Sequence, residues 1–137
     1  DCQQLVQSSR VVFYQHGKDW GKTQVETVQQ TDILPSIMDY LGYNEEFIAF
    51  GQSVFDSTSN HFAISYLSGI YQLIQDGYVL KFNGESDIAF YQLDSDSLLD
   101  NNLVNRNDGI RQSMNQLTKA IKQQFDYRMV NNELTVK

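Results

Sequence analysis

Several short stretches of this chain hold residue types that could do chemistry. Gly17-Lys18-Asp19-Trp20-Gly21-Lys22-Thr23 offers glycines, lysines and a threonine in the manner of a phosphate-binding loop. That loop needs four residues between its glycines, so that successive N–H groups wrap the phosphates. Here there are three, and Thr23 to Val28 leans toward strand where a helix should open. A glycine-rich turn is the favoured reading, with a nucleotide-binding enzyme as its rival. Gly51-Gln52-Ser53-Val54-Phe55 resembles a nucleophile elbow, but Phe55 stands where the closing glycine belongs. Ser53 is therefore expected in a loop or cap. Asp94-Ser95-Asp96-Ser97-Leu98-Leu99-Asp100 has the acidic spacing of a calcium loop. Leu98 and Leu99 occupy the positions that need an oxygen ligand and a glycine, so a capped surface turn is expected. His16 and His61 are the only histidines and lie far apart in sequence, too few for a zinc site. Cys2 is the only cysteine, which rules out an internal disulfide. No catalytic, cofactor-binding or metal-ligating residue is assigned.

The elements that would position these stretches can be read from periodicity and turn chemistry. Arg10 to Tyr14 is β-branched and aromatic and reads as a buried strand. Asp32 to Leu41 reads as a short helix, with Thr31 or Asp32 as N-cap and Pro35 in the first turn. Its apolar face is Leu34, Ile37, Met38 and Leu41, and Gly42 sits at the C-cap. From His61 the pattern alternates with period two. Ser68-Gly69, Asp76-Gly77 and Asn83-Gly84 separate four strands at about 61–67, 70–75, 78–82 and 87–93. Ile110, Met114, Leu117, Ile121 and Phe125 then mark the core stripe of a helix over 108–130. The fold expected is α+β: a four-stranded antiparallel meander covered by a long C-terminal helix, after an N-terminal strand–loop–helix unit.

The chain has 137 residues and a net charge of −7. Residues 1–100 carry 14 acidic and 4 basic side chains, and residues 101–137 carry 3 and 6. A nucleic-acid binder needs a basic surface to displace counterions, and this tail is too weak to supply one. No apolar run approaches the length of a membrane span, so no membrane insertion by this chain is expected. It begins at Asp1 and not at a methionine, which suggests a processed or excised piece.

Two blocks carry a family resemblance. VVFYQHGKDWGKTQVETVQQTDILPSIMDYLGY, residues 11–43, resembles a segment of lipoteichoic-acid-synthase-like enzymes, matching at Gln30, Asp32, Ile33, Pro35, Leu41 and Gly42. There a strand ends in a Pro-Gly loop, followed by a Gln-x-Asp-Ile-x-Pro-Thr helix and a Leu-Gly stop. His16 stands where that family usually has proline. The second block runs from Gly69-Ile70-Tyr71-Gln72-Leu73-Ile74 through Phe90-Tyr91-Gln92-Leu93, Asp94, Asp96 and Asn102-Leu103. It is similar to the tail of a sulfatase, in which a Gly-x-Tyr-Lys-Leu strand leads to Leu-Tyr-Asp-Leu and Asn-Leu. With GYNEEFIAFGQSVF between them, the blocks look most like the branch found in Bacteroidetes-type bacteria.

The resemblance implies the C-terminal part of an alkaline-phosphatase-superfamily enzyme, a sulfatase or phosphoglycerol transferase. Such a parent uses a Thr, Ser or formylglycine nucleophile beside divalent metal (Mn, Mg, Ca or Zn), which clamps the anionic oxygens. The family's Asp-His metal pair falls just before the position of Asp1, and this chain has no Asp-His dipeptide. Cys2 does not fit a formylglycine precursor, which needs Pro or Ala two residues on and Arg four on; Gln4 and Val6 stand there. On this resemblance, residues 1–60 are the edge of the catalytic domain and residues 61–137 a small subdomain. The expected role is structural support, without catalytic activity in this chain alone. Its partner would be the upstream catalytic domain, on the outer face of the bacterial inner membrane. The alternative is a stand-alone module that binds glycan or protein through a sheet face bearing Tyr71, Gln72 and Lys81.

Overall fold

The computed structural model describes residues 11–19, 21, 27–106 and 108–136. It is an α+β structure. A 3-10 turn, Gln30–Asp32, leads into helix α1, Ile33–Tyr40. Strands β1 (Ala63–Leu67), β2 (Ile70–Gln75), β3 (Tyr78–Phe82) and β4 (Asp87–Gln92) follow, and then helix α2, Gly109–Val130. The four strands form one antiparallel sheet in sequence order.

The turns explain the meander. Ser68 and Gly69 have φ of 52° and 84°, and Asp76 and Gly77 have 49° and 75°. Two successive positive-φ residues match the twist of the flanking strands, so each dipeptide closes a tight hairpin. Asn83-Gly84 works differently. Only Gly84 is left-handed there, and the Asn83 carboxamide oxygen accepts the N–H groups of Glu85 and Ser86. The loop is therefore four residues long, held by a side chain in place of a second positive φ.

Strand register puts Ile64, Leu73, Leu80 and Phe90 in one row across the sheet. Leu73, Leu80 and Phe90 pack with Met114 of α2, flanked by Phe62, Ile64, Tyr78, Leu103, Val104, Leu117 and Ile121. Tyr78 stacks on Phe90 with their planes 6° apart. The expected stripe on α2 holds only in its middle. Met114 is buried and Leu117 and Ile121 pack on the core, whereas Ile110 and Phe125 at its ends are exposed. The unforeseen member is Thr118, which is fully buried because its hydroxyl donates to the Met114 carbonyl. That bond satisfies the hydroxyl within the helix, so a threonine can face the core.

A bulge between Lys81 and Phe82 sets the pairing of β4. It inserts Ile88, so Asp87 pairs with Phe82 on the helix side of the sheet. There the Asp87 carboxylate receives the Arg111 guanidinium and the Asn115 amide, one turn apart on α2. The bulge thus aims a nearly buried carboxylate at two donors and pins sheet to helix. Both ends of α2 are capped: the Asp108 carboxylate accepts the Ile110 N–H, and Asn132 (φ 53°) turns the chain so that the Glu133 N–H reaches the Arg128 carbonyl.

Beyond β4, the Asn102 side chain completes the sheet. Its oxygen accepts the Phe90 N–H, its amide donates to the Ile88 carbonyl, and the Leu103 N–H reaches the Phe90 carbonyl. A side chain and one backbone group thus do the work of a fifth strand.

The expected strand at 10–14 is not found among its described residues, 11–14. They form no strand with any described residue, and Val12 and Tyr14 are each about four-fifths exposed. β-propensity reflects packing against neighbouring strands, and the described residues supply none here.

Candidate functional site

Each stretch singled out for its chemistry is held in a local turn. The Lys18 N–H donates to the Gln15 carbonyl, and Gly17 and Gly21 are left-handed, so the described part of 17–23 is a glycine turn. Trp20, Lys22, Thr23 and Cys2 lie outside the described residues. Ser53 donates its hydroxyl to the Asp39 carboxylate and accepts the Phe55 N–H, which makes it a loop residue. The Asp96 carboxylate accepts the N–H groups of Asp100 and Asn101, the capped turn expected at 94–100. His61 Nε2 lies 3.2 Å from the Asp56 carbonyl, and His16 is exposed. Among the described residues no three of His, Cys, Asp and Glu stand together so as to hold a metal ion.

Two other places bring functional side chains together. The first is built on Asp32, which is almost completely buried. Its carboxylate accepts the Gln29 N–H at 2.9 Å and the Gln52 N–H at 2.8 Å. One turn on, the buried Ser36 hydroxyl donates to the Asp32 carbonyl and accepts the Val54 N–H. Asp32, Pro35 and Ser36 thus form the inward side of α1, and the loop 51–54 is its cover. Gly51 makes this fit possible, because a Cβ there would stand 2.2 Å from the Thr31 carbonyl oxygen. The same unit reaches the sheet through Gln29, whose side-chain oxygen accepts the Ile64 N–H on the outer edge of β1. Phe50 also meets Phe125 of α2, ring centroids 5.4 Å apart.

The expected apolar face of this helix is split: Met38 is half-buried, and the other three members are turned outward. Leu34 is 45% exposed, Ile37 42% and Leu41 68%, while Asp32 and Ser36 are inside. The end of the helix matches expectation: Gly42 is left-handed, and the Tyr43 N–H reaches the Met38 carbonyl. Asp56 closes the unit. Hydrogen bonds from the Ser59 hydroxyl, then from the Thr58 hydroxyl and N–H, hold its carboxyl down at about 2.

The second place lies on the helix side of the sheet. Tyr66, Tyr71 and Phe82 are cross-strand neighbours on β1, β2 and β3. Their centroids are 4.5 and 6.4 Å apart, each pair tilted by 39°. The Lys119 ammonium lies 5.4 Å from the Phe82 ring centre. Lys122 pairs with Asp126, which raises its pKa. The expected face of Tyr71, Gln72 and Lys81 does not exist as one surface. Tyr71 and Gln72 are adjacent in a strand and point to opposite sides. Gln72 pairs with Lys81 on the far side, where the Lys81 ammonium lies over Tyr91.

The chain matches no protein-family model, no curated protein and no solved structure. No helix among the described residues is long and apolar enough to cross a membrane.

Proposed function

We propose that this chain is the C-terminal part of a sulfatase-like enzyme of the alkaline-phosphatase superfamily, a hydrolase or phosphoglycerol transferase. In this reading it supports the catalytic domain and carries no catalytic residue of its own. The resemblance of residues 11–43 and 69–103 supplies the family. The observation that carries the structural role is the split apolar face of helix α1. Asp32 and Ser36 are buried under the loop 51–54, while Leu34, Ile37 and Leu41 face outward. Fully burying a leucine side chain stabilises a fold by roughly 1.5–3 kcal/mol, so three apolar residues left about half exposed forgo part of that stabilisation. A neighbouring domain laid on Leu34, Ile37 and Leu41 recovers it. The β-prone residues 11–14 belong to the same surface and would join that neighbour's sheet. Residues 1–60 are then the edge of the catalytic domain, and residues 61–137 are the small subdomain behind it. Its place would be the outer face of the bacterial inner membrane, with the divalent metal held by the parent's residues.

Two measurements test this. The purified 137-residue chain, supplied with Mn, Mg, Ca or Zn, should not turn over a chromogenic sulfate or phosphodiester; metal-dependent turnover would overturn the supporting role. The reading frame upstream of Asp1 should encode a Thr, Ser or Cys nucleophile and an Asp-His pair. A frame without them would overturn the family.

A further inference from the structure

The ring row Tyr66–Tyr71–Phe82 has a use that support of another domain does not need. Phe82 is its inner end and also the floor of an open groove of about 500 Å³ between the β3–β4 turn and one flank of α2. That flank presents Lys119, Lys122, Gln123, Asp126 and Tyr127. At the outer end of the row Tyr66 is 62% exposed, and Tyr127 beside the groove is 59% exposed. Aromatic rings left this open combine an apolar face with a polar tip. Around them stand the planar carboxamide of Gln123 and the carboxylate of Asp126, which can pair with adjacent hydroxyls. This is the chemistry a sugar ring asks for, with an apolar C–H face to lay on the rings and a rim of hydroxyls for the planar groups.

The charge of the groove narrows the ligand further. Lys122 is balanced by Asp126, but Lys119 has only the face of Phe82 as a partner among the described residues. The groove therefore holds an excess of one positive charge on a chain of net charge −7. We propose that an acidic oligosaccharide binds across the groove and the ring row that runs out from its Phe82 end, with a sugar ring on Tyr66 and Tyr71 and the anionic substituent at Lys119. The proposal is independent of the supporting role above, because none of these residues lies on the outward side of α1.

Calorimetric titration of the full chain with three probes tests it: a galacturonate hexasaccharide, cellohexaose, and polyglutamate of matched charge. Saturable binding of the uronate is expected, with cellohexaose at least roughly tenfold weaker and polyglutamate not saturable; tenfold corresponds to about 1.4 kcal/mol. Absence of saturable uronate binding overturns the site. Equal binding of polyglutamate reduces it to charge alone, and equal binding of cellohexaose removes the requirement for an anion; either overturns the proposal as stated. Tyr66→Ala and Lys119→Gln should each weaken the uronate roughly tenfold, and Tyr66→Phe should stay within about twofold. Both side chains are exposed, so the core survives the changes, and a circular dichroism melt confirms the fold. Unchanged affinity in Tyr66→Ala and Lys119→Gln overturns the assignment.

Discussion

The sheet with α2 and the unit around α1 are held by opposite means. The first closes on Leu73, Leu80, Phe90 and Met114, a set of side chains with almost no polar atoms. The second closes on Asp32 and Ser36, which between them accept three backbone N–H groups from two loops. Apolar burial is non-directional and tolerates small shifts, whereas a buried carboxylate keeps its stability only while each donor is in place. The second region buries polar groups and leaves Leu34, Ile37 and Leu41 partly exposed.

The largest expected effect lies in the sheet. Phe90→Ala empties the centre of the core and should cost about 3–5 kcal/mol, read from urea unfolding. Both regions should lose structure together, since Gln29 and Phe50 rest on the sheet and α2. Next comes Asp32→Ala, which strands the Gln29 and Gln52 N–H groups and should cost about 1–3 kcal/mol. Here hydrogen exchange should accelerate in 29–56 while the amides of β2 and β3 keep their protection. Equal acceleration in both regions would abolish the distinction between them. Smaller still is Leu41→Gln, expected to change the stability of this chain by no more than about 0.5 kcal/mol. If a longer polypeptide that carries the proposed catalytic domain is destabilised several times more by the same change, the outward face is an internal interface; an equal effect would remove that interface.

The smallest effect is an acid transition confined to the α1 unit. The folded Asp56 carboxyl titrates at about 2, below its ordinary 3.8. Its contribution is therefore complete above about pH 4 and is lost as pH falls through about 2. An NMR titration should show the Thr58 amide following this carboxyl while the β3 amides do not move.

The meander was legible because its signals are local. Ser68-Gly69 and Asp76-Gly77 fix their hairpins from two residues each, and alternation then sets which side of every strand is buried. Helix α1 was legible in position and not in orientation. The spacing of Leu34, Ile37 and Leu41 marks an apolar face, but periodicity cannot say which face meets a neighbour within the chain. Asp32 and Ser36 sit at i and i+4 on the other side, and their burial depends on Gly51 and the N–H groups of Gln52 and Val54, some twenty residues on. Arg10 to Tyr14 failed for a related reason, since a strand needs a partner and composition does not name one. Lys119 and Phe82 come to line one groove only when α2 crosses the sheet, and the residues between them hold no motif that announces it.

Asn102 carries a last consequence, for assembly. By bonding Ile88 and Phe90 it occupies outer positions of β4, whereas among the described residues the β1 border meets the Gln29 side chain at Ile64. A strand ladder that grows into a fibre must add at both borders. Among the described residues the β4 border offers a joining strand less than the β1 border does, so a sheet-to-sheet contact between folded chains would favour β1.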